Sequence, residues 1–268
     1  MADNLDINNY IGSHISKLAT IYDTISPIYN SSSNQLKASQ IFLRNPYGGS
    51  SNISQRDIEI SRQYIIEHKI KLFIHTPYII NLSNPWTKNN SDKNGLGSLG
   101  LLKSDLEIAN QLKCSGVVVH VGKHTKCTPQ VGLAQMKQSI DKVLPYATEE
   151  CPLLLETPAG QGTELCRLID DFSNFYNLFN TDEKKKFKIV IDTAHVWASG
   201  YDPFDYITQW LSRQPIDTIS LIHLNDSSKE KGSRVDRHAF VGTGLIGLEK
   251  MSQVIYWAIN NNIAMVIE

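Results

Sequence analysis

Short apolar runs recur along the chain, each followed by a segment with helical period. They fall at Asn9–Ile15, Gln40–Asn45, Lys71–Thr76, Gly116–Val121, Pro152–Thr157, Lys188–Thr193, Thr218–Leu224 and Ile263–Glu268. The clearest, LFIH, VVVH, LLLE, IVID, SLIH and MVIE, are continuous rather than alternating. Continuous runs suit parallel strands buried on both faces. Between them apolar residues return every three or four positions. One stripe is Leu102, Leu106 and Ala109, with the Lys113 stem extending it. Another is Leu133, Met136, Ile140 and Val143, stopped by Pro145. Leu165, Leu168, Ile169, Phe172 and Phe175 make a third; Phe204, Ile207, Trp210 and Leu211 a fourth; Met251, Val254, Ile255, Ala258 and Ile259 a fifth. Ser54 with Asp57 predicts a capping box before Ile58. Strand alternating with helix along the whole chain predicts parallel βαβ units, and eight repeats favour a closed (β/α)8 TIM barrel over an open doubly wound sheet. SSSNQ at Ser31–Gln35 and GGSSNIS at Gly48–Ser54 read as loops, and EKKKFK at Glu183–Lys188 as a solvated helix end or loop before a strand. No linker divides the chain, so one domain over residues 1–268 is expected.

Composition narrows the class without naming a partner. The 268 residues fit one barrel, whose usual size is about 250 residues. A hydrophobic fraction of 41% and a charged fraction of 20% are those of an ordinary globular chain and exclude collagen-like, disordered and coiled-coil readings. No apolar run approaches the roughly 20 residues of a membrane span. The opening MADNLDINNY has neither the basic nor the apolar part of a secretory signal, so an intracellular protein, in cytoplasm or nucleus, is expected. Cys114, Cys127, Cys151 and Cys166 show no metal or disulfide spacing and read as reduced thiols. The formal net charge of −1 gives by itself no sign of a polyanion partner.

The chemistry lies in how the runs end. They close on His75, His120, Glu156, Asp192, His223 and Glu268; His195 follows three residues after Asp192, and Asp236 and His238 lie in the loop after the seventh strand. A lone charge buried at the end of an apolar strand costs several kcal/mol, so such groups must be hydrated, paired or metal-bound. In a parallel barrel all C-terminal strand ends share one face. Five imidazoles and four carboxylates therefore converge there, and five of the chain's eight histidines are among them. One such residue would be an ordinary polar rim; nine predict a polynuclear metal site. Nitrogen and oxygen ligands without cysteine fit Zn²⁺, Mn²⁺ or Fe²⁺, and nine ligands with one bridging carboxylate suffice for about three ions. Three divalent ions would turn the formal −1 into about +5 on one face, which makes a phosphate-bearing substrate plausible.

At these residues the sequence resembles the endonuclease IV family of apurinic/apyrimidinic (AP) endonucleases. The stretches that carry the resemblance are IGSHIS near the start, ETPAGQG (Glu156–Gly162), DTAHVWASGYD (Asp192–Asp202), HLND (His223–Asp226) and GSRVDRHAFVGTG (Gly232–Gly244), spread over essentially the whole chain. The resemblance implies three Zn²⁺ ions, with Mn²⁺ as the alternative. One would be held by His75, His120 and Glu156, a second by Glu156 as bridge with Asp192, His223 and Glu268, and a third by His195, Asp236 and His238. It also implies incision of duplex DNA 5′ to an abasic site, leaving a 3′-hydroxyl and a 5′-deoxyribose phosphate, and removal of blocked 3′ ends. Glu156 would be the catalytic carboxylate, bridging two ions and steering the attacking water. A monomer with no membrane partner is expected.

The loops depart from the family pattern. HVGKH stands where the family usually has HPGSH, and Lys123 is expected to add a phosphate contact. In LRNPYGG, Pro46 and Tyr47 follow Asn45 where the family carries a glutamine and an arginine that wedge the DNA; Tyr47 is expected to stack on an exposed base. Tyr78 and Ile79 fall where the family inserts side chains into the minor groove. The sequence stops on Glu268, so a barrel lacking its final helix is expected. Two other readings fit parts of the pattern: a metal-dependent TIM-barrel sugar isomerase or epimerase, which would not need His195, Asp236 and His238, and a non-catalytic DNA-binding scaffold with closed coordination.

Overall fold

Parallel pairing closes eight strands into a barrel in the computed structural model, which describes residues 9–30, 37–85 and 97–268. The strands are β1 (Ile11–Ile15), β2 (Ala38–Phe42), β3 (Lys71–His75), β4 (Gly116–His120), β5 (Leu153–Glu156), β6 (Phe187–Asp192), β7 (Ile219–His223) and, after a short antiparallel pair of β8 (Asp226–Ser227) with β9 (His238–Ala239), β10 (Ala264–Ile267). Their order around the barrel is β1-β10-β7-β6-β5-β4-β3-β2. Helices α1 (Ile21–Asn30), α2 (Gln55–His68), α3 (Leu99–Leu112), α4 (Pro129–Val143), α5 (Ile169–Tyr176), α6 (Thr181–Lys185), α7 (Thr193–Ala198), α8 (Pro203–Leu211) and α9 (Leu248–Asn260) connect them. The expected TIM barrel is the observed one. The SSSNQ stretch lies outside the described residues. Cys114, Cys127, Cys151 and Cys166 are all free. Among the described residues no helix is long and apolar enough to cross a membrane.

Local expectations fail in four places, each for a physical reason. The second strand begins two residues early, because Ala38 and Ser39, too small to mark an apolar run, pair with Lys71 and Leu72 of β3. Lys113 does not extend the α3 stripe; it ends the helix in the left-handed conformation (φ 62°), its N–H directed at the Ala109 and Asn110 carbonyls. Leu165 and Leu168 precede α5 rather than belonging to it, and Leu168 is exposed. Ser54 does cap α2, accepting the Asp57 N–H at 3.1 Å. The Asp57 carboxylate does not reciprocate: it accepts Ile21 N–H at 2.9 Å and Tyr22 N–H at 3.3 Å, and so caps the neighbouring α1 instead.

Two apolar clusters result. The larger fills the space between strands and helices, and includes Ile74, Val119, Leu155, Ile191 and Trp210. The smaller consists of Ala38, Phe73, Val118, Leu154, Val190, Leu221, Ala264 and Val266. Successive strand side chains alternate between faces, so these two sets are the outward and inward halves of the continuous apolar runs.

Candidate metal centre

The inward set dictates where the functional groups stand. Two residues beyond Phe73, Val118, Leu154, Val190, Leu221 and Val266 lie His75, His120, Glu156, Asp192, His223 and Glu268. Period two keeps each on the inward face, so these six side chains form the polar layer directly above the apolar plug. The remaining three come from connections. His195 sits in α7, whose first turn is capped by Asp192 through the His195 N–H at 2.7 Å. Asp236 and His238 come from the excursion that begins at β8.

Three groups of donors could each hold an ion: His75, His120 and Glu156; Glu156, Asp192, His223 and Glu268; and Asp192, His195 and His238. Asp236 joins the third, 3.3 Å from His195 Nε2 and 3.1 Å from His238 Nε2. Glu156 belongs to two groups, with Oε2 lying 3.0 Å from His120 Nε2 and 3.5 Å from His75 Nε2. Its Oε1 lies 2.9 Å from His223 Nδ1. Asp192 likewise serves two, so it stands between the second and third groups as Glu156 stands between the first and second. Buried Glu156 Oε2 and His238 Nε2 make no properly directed hydrogen bond, although nitrogens or oxygens stand close to each. Donors that crowd together without aligning on one another fit a shared cation.

Backbone and amide groups fix the ring orientations. His75 Nδ1 donates to the Thr76 carbonyl and His195 Nδ1 to the Thr157 carbonyl, both at 2.8 Å, which leaves each Nε2 facing the carboxylates. His223 is turned the other way: its Nε2 donates to Gln40 Oε1 at 2.9 Å, and Nδ1 faces Glu156 and Glu268. Gln40 also donates through Nε2 to Glu268 Oε1 at 2.7 Å. Asn225 donates to Asp192 Oδ2 at 2.7 Å and Glu268 Oε2 at 3.1 Å, and accepts the Glu268 N–H at 2.9 Å.

Protonation follows the same crowding. Burial alone would strip the imidazoles of their protons, and in His75 it does lower the pKa. In His223 the carboxylates of Glu268 and Glu156 overcome burial and lift the value to about 9. His195 is driven well up by Asp192, Asp236 and Glu156 against burial. Burial would raise the Glu156 carboxyl, but His120 and His223 hold it well below the usual range. His195 and His223 thus favour the protonated form where cations would replace the protons, whereas His75 does not.

Sequence reasoning missed Gln40 and gave Asn225 no role. Gln40 follows Ala38 at the same spacing as every strand-end ligand; placing the strand at Gln40–Asn45 hid that spacing. The loop residues singled out from the sequence are exposed to different degrees. Tyr47 is 79% and Tyr78 53% exposed. Their rings lie 6.4 Å apart, and Tyr78 continues to His75 at 5.7 Å and His120 at 5.6 Å. Asn45 accepts the Tyr47 N–H at 2.8 Å and shapes the turn beneath that ring. Ile79 packs at Gly48 (φ +105°), where an added Cβ would fall 2.6 Å from Ile79 Cδ1. Lys123 is not free: its ammonium lies 3.3 Å from Glu164 Oε1, and Asn81 clamps its backbone through bonds of 2.8 and 2.9 Å. Arg44, buried, ties the base of the β2 loop together. It reaches Asp105 Oδ1 at 2.6 and 3.0 Å and the Gly49 carbonyl at 3.0 Å. A cavity of about 290 Å³ opens over the carboxylate layer, with Tyr78, Lys123 and Glu164 in its wall.

Comparison with known proteins agrees with this geometry. Residues 33–268 match the family described as xylose isomerase-like TIM barrel. The protein named "Probable endonuclease 4" of Mesomycoplasma hyopneumoniae strain 7448 is 30% identical, over 96% of this chain and 91% of its own length. That of Enterococcus faecalis is 31% identical over 76% of this chain and 68% of its own. Among solved structures, endonuclease IV from Thermus thermophilus superposes with a TM-score of 0.78 at 24% identity, covering 97% of this chain and 91% of its own. A D-tagatose 3-epimerase-like protein gives 0.70 at 14%, covering 96% and 89%. At those identities the solved structures speak to the fold alone. The family match over most of the chain and the relatives near 30% identity establish more: the chain belongs to the endonuclease IV family.

Proposed function

We propose that the protein is a DNA-repair endonuclease that hydrolyses the phosphodiester 5′ to an abasic site in duplex DNA, leaving a 3′-hydroxyl and a 5′-deoxyribose phosphate, and that it also clears blocked 3′ ends. In this reading residues 1–268 act as one domain, as a monomer, in the cytoplasm or nucleus. One divalent ion is held by His75, His120 and Glu156, a second by Glu156, Asp192, His223 and Glu268, and a third by His195, Asp236 and His238. The donor set favours Zn²⁺, with Mn²⁺ the alternative. The observation that carries the reading is the polar layer itself, in which donor groups share Glu156 and Asp192. When bound, such ions supply the charge that lowers the pKa of water and neutralises a phosphodiester.

The protein's own groups do the rest. Glu156, shared by two groups, steers the attacking water. Gln40 and the Thr76 and Thr157 carbonyls hold the rings in one orientation, so no reorganisation is needed when charge develops. The cavity takes a nucleotide that has left the stack. Tyr78 and Ile79 enter the minor groove, and Tyr47, set by Asn45, stacks on an exposed base. Lys123 reaches phosphate by exchanging Glu164 for it. A sugar isomerase would leave Asp236 and His238 without a task, and the open cavity speaks against a scaffold with closed coordination.

The test is a duplex carrying one tetrahydrofuran abasic analogue. A single cut 5′ to the analogue is expected, lost on chelation and restored by Zn²⁺ or Mn²⁺. An uncut duplex with metal-replete protein would overturn the assignment, and ketose–aldose conversion would replace it with the isomerase. About three ions per chain by elemental analysis are expected; one or none would overturn the three-ion assignment.

A further inference from the structure

Phe240 is the most exposed large aromatic side chain among the described residues, with 85% of its surface in solvent. A single apolar residue on a surface is ordinary. The way this one is mounted is not. Thr243 donates to the Phe240 carbonyl through its N–H at 2.9 Å and its hydroxyl at 2.8 Å, and Gly242 takes the left-handed conformation (φ +81°) that closes the turn. The wholly buried Asp226 carboxylate then accepts N–H groups from Gly242, Gly244 and Ile246 at 3.0 Å each, and from Ser227 at 2.7 Å. The turn is fixed to β8 by the three bonds from Gly242, Gly244 and Ile246, so presenting the ring to a ligand orders no backbone.

Its place is equally specific. Phe240 lies two residues beyond His238. In the barrel order, β3 and β7 are four strands apart in either direction, so the loop after β7 faces the loop after β3 across the mouth. Tyr78 belongs to the second of these. Between the two sides the rings of Tyr78, His120, His195 and His238 succeed one another at 5.6, 6.0 and 5.8 Å. The segment that bears Phe240 also exposes Lys229, Lys231, Arg234 and Arg237, against Glu230 as its one exposed acid between residues 226 and 240. An apolar ring on a segment rich in exposed cations suits a nucleobase flanked by its phosphates, and not an apolar protein surface or a lipid tail.

We propose that Phe240 is a second stacking platform, taking the face of a base that flanks the damaged nucleotide on the side opposite Tyr78. The duplex would then be held open from both sides of the lesion. This rests on the function proposed above. The test uses abasic-analogue duplexes with 2-aminopurine on one or the other side of the lesion, at one stated salt concentration. Phe240→Ala is expected to weaken binding about 5- to 150-fold and to abolish the fluorescence change of the probe on one side only. Phe240→Trp is expected to restore both. Because the side chain is exposed, unfolding midpoints of both variants are expected to match the wild type. Wild-type affinity and fluorescence in the alanine variant, or no recovery with tryptophan, would overturn the platform alone. A wild-type protein that leaves the abasic duplex uncut would overturn the function proposed above, and the platform with it.

Discussion

The donor layer at the strand ends and the loops above it hold their side chains by different means. In the layer, the side chains are set by strand period and seated on an apolar plug, and several are braced by a second bond: His75 on Thr76, His223 on Gln40, with His195 of α7 held beside them on Thr157. Above it, Tyr47, Tyr78 and Phe240 are exposed, and polar bonds pin only their backbones, Tyr78 by its N–H to the Pro46 carbonyl at 2.8 Å, while its ring rests on those of His75 and His120. The layer holds every donor that the resemblance implies, and the departures from that resemblance, at Pro46, Tyr47, Val121 and Lys123, lie in the loops. A side chain wedged between strands is fixed by everything around it. A side chain facing solvent is fixed only by the ligand it meets, and can change when the ligand allows.

That contrast can be broken most forcefully at Glu156. Glu156→Gln keeps the shape of the side chain and leaves Leu153, Leu154 and Leu155 in place, but removes the charge shared by two donor groups. A fall in incision of about 10³-fold or more is expected with the barrel still folded by circular dichroism. Near-normal turnover would show that Glu156 does not link the groups. Gln40→Leu probes the brace rather than the ligand. It leaves His223 Nε2 and Glu268 Oε1 short of a partner, and a loss of about 10- to 100-fold in metal affinity is expected by chelator competition. Unchanged affinity would mean that His223 keeps its orientation unaided.

Substitutions in the loops should act on binding before they act on chemistry. Tyr78→Ala is expected to weaken abasic-duplex binding by about 5- to 150-fold, and to slow hydrolysis of a short unpaired substrate much less. Equal losses on both substrates would assign Tyr78 to loop packing or to the chemistry. The smallest effect is expected at Glu164→Gln, which keeps an acceptor for the Gln161 N–H (2.8 Å) while releasing Lys123. Lys123 is half-exposed in this pair, and surface pairs are worth about 0.2–1 kcal/mol, so duplex affinity should rise by about fivefold. The log–log slope of binding against salt should stay as in the wild type, because Lys123 reaches phosphate in both proteins. An unchanged affinity would mean that Lys123 never reaches phosphate.

The sequence made the barrel legible because buried parallel strands are continuous apolar runs, and it made the donors legible because each of those runs ends on a group that cannot be left alone in an apolar interior. Gln40 escaped for the opposite reason: an uncharged amide closes no conspicuous run, and Ala38 and Ser39 before it are too small to announce a strand. Asp57 was legible as a helix-start residue but not as a cap for the neighbouring helix, since only tertiary packing brings Ile21 and Tyr22 to it. How the loops meet, Lys123 on Glu164 and Ile79 on Gly48, has no local signal at all.

The buried Arg44–Asp105 pair gives the β2 loop a property beyond rigidity. Removing one partner of such a pair costs about 3–5 kcal/mol, so its grip on the ends of the loop is strongly constrained. Because Arg44 also holds the Gly49 carbonyl, residues 45–48 form a cassette whose ends are closed on each other by something other than the tip. Substitutions at the tip can therefore accumulate without weakening the barrel. The loop tip, where Pro46 and Tyr47 stand, can change its surface chemistry while the donor layer beneath it stays as it is.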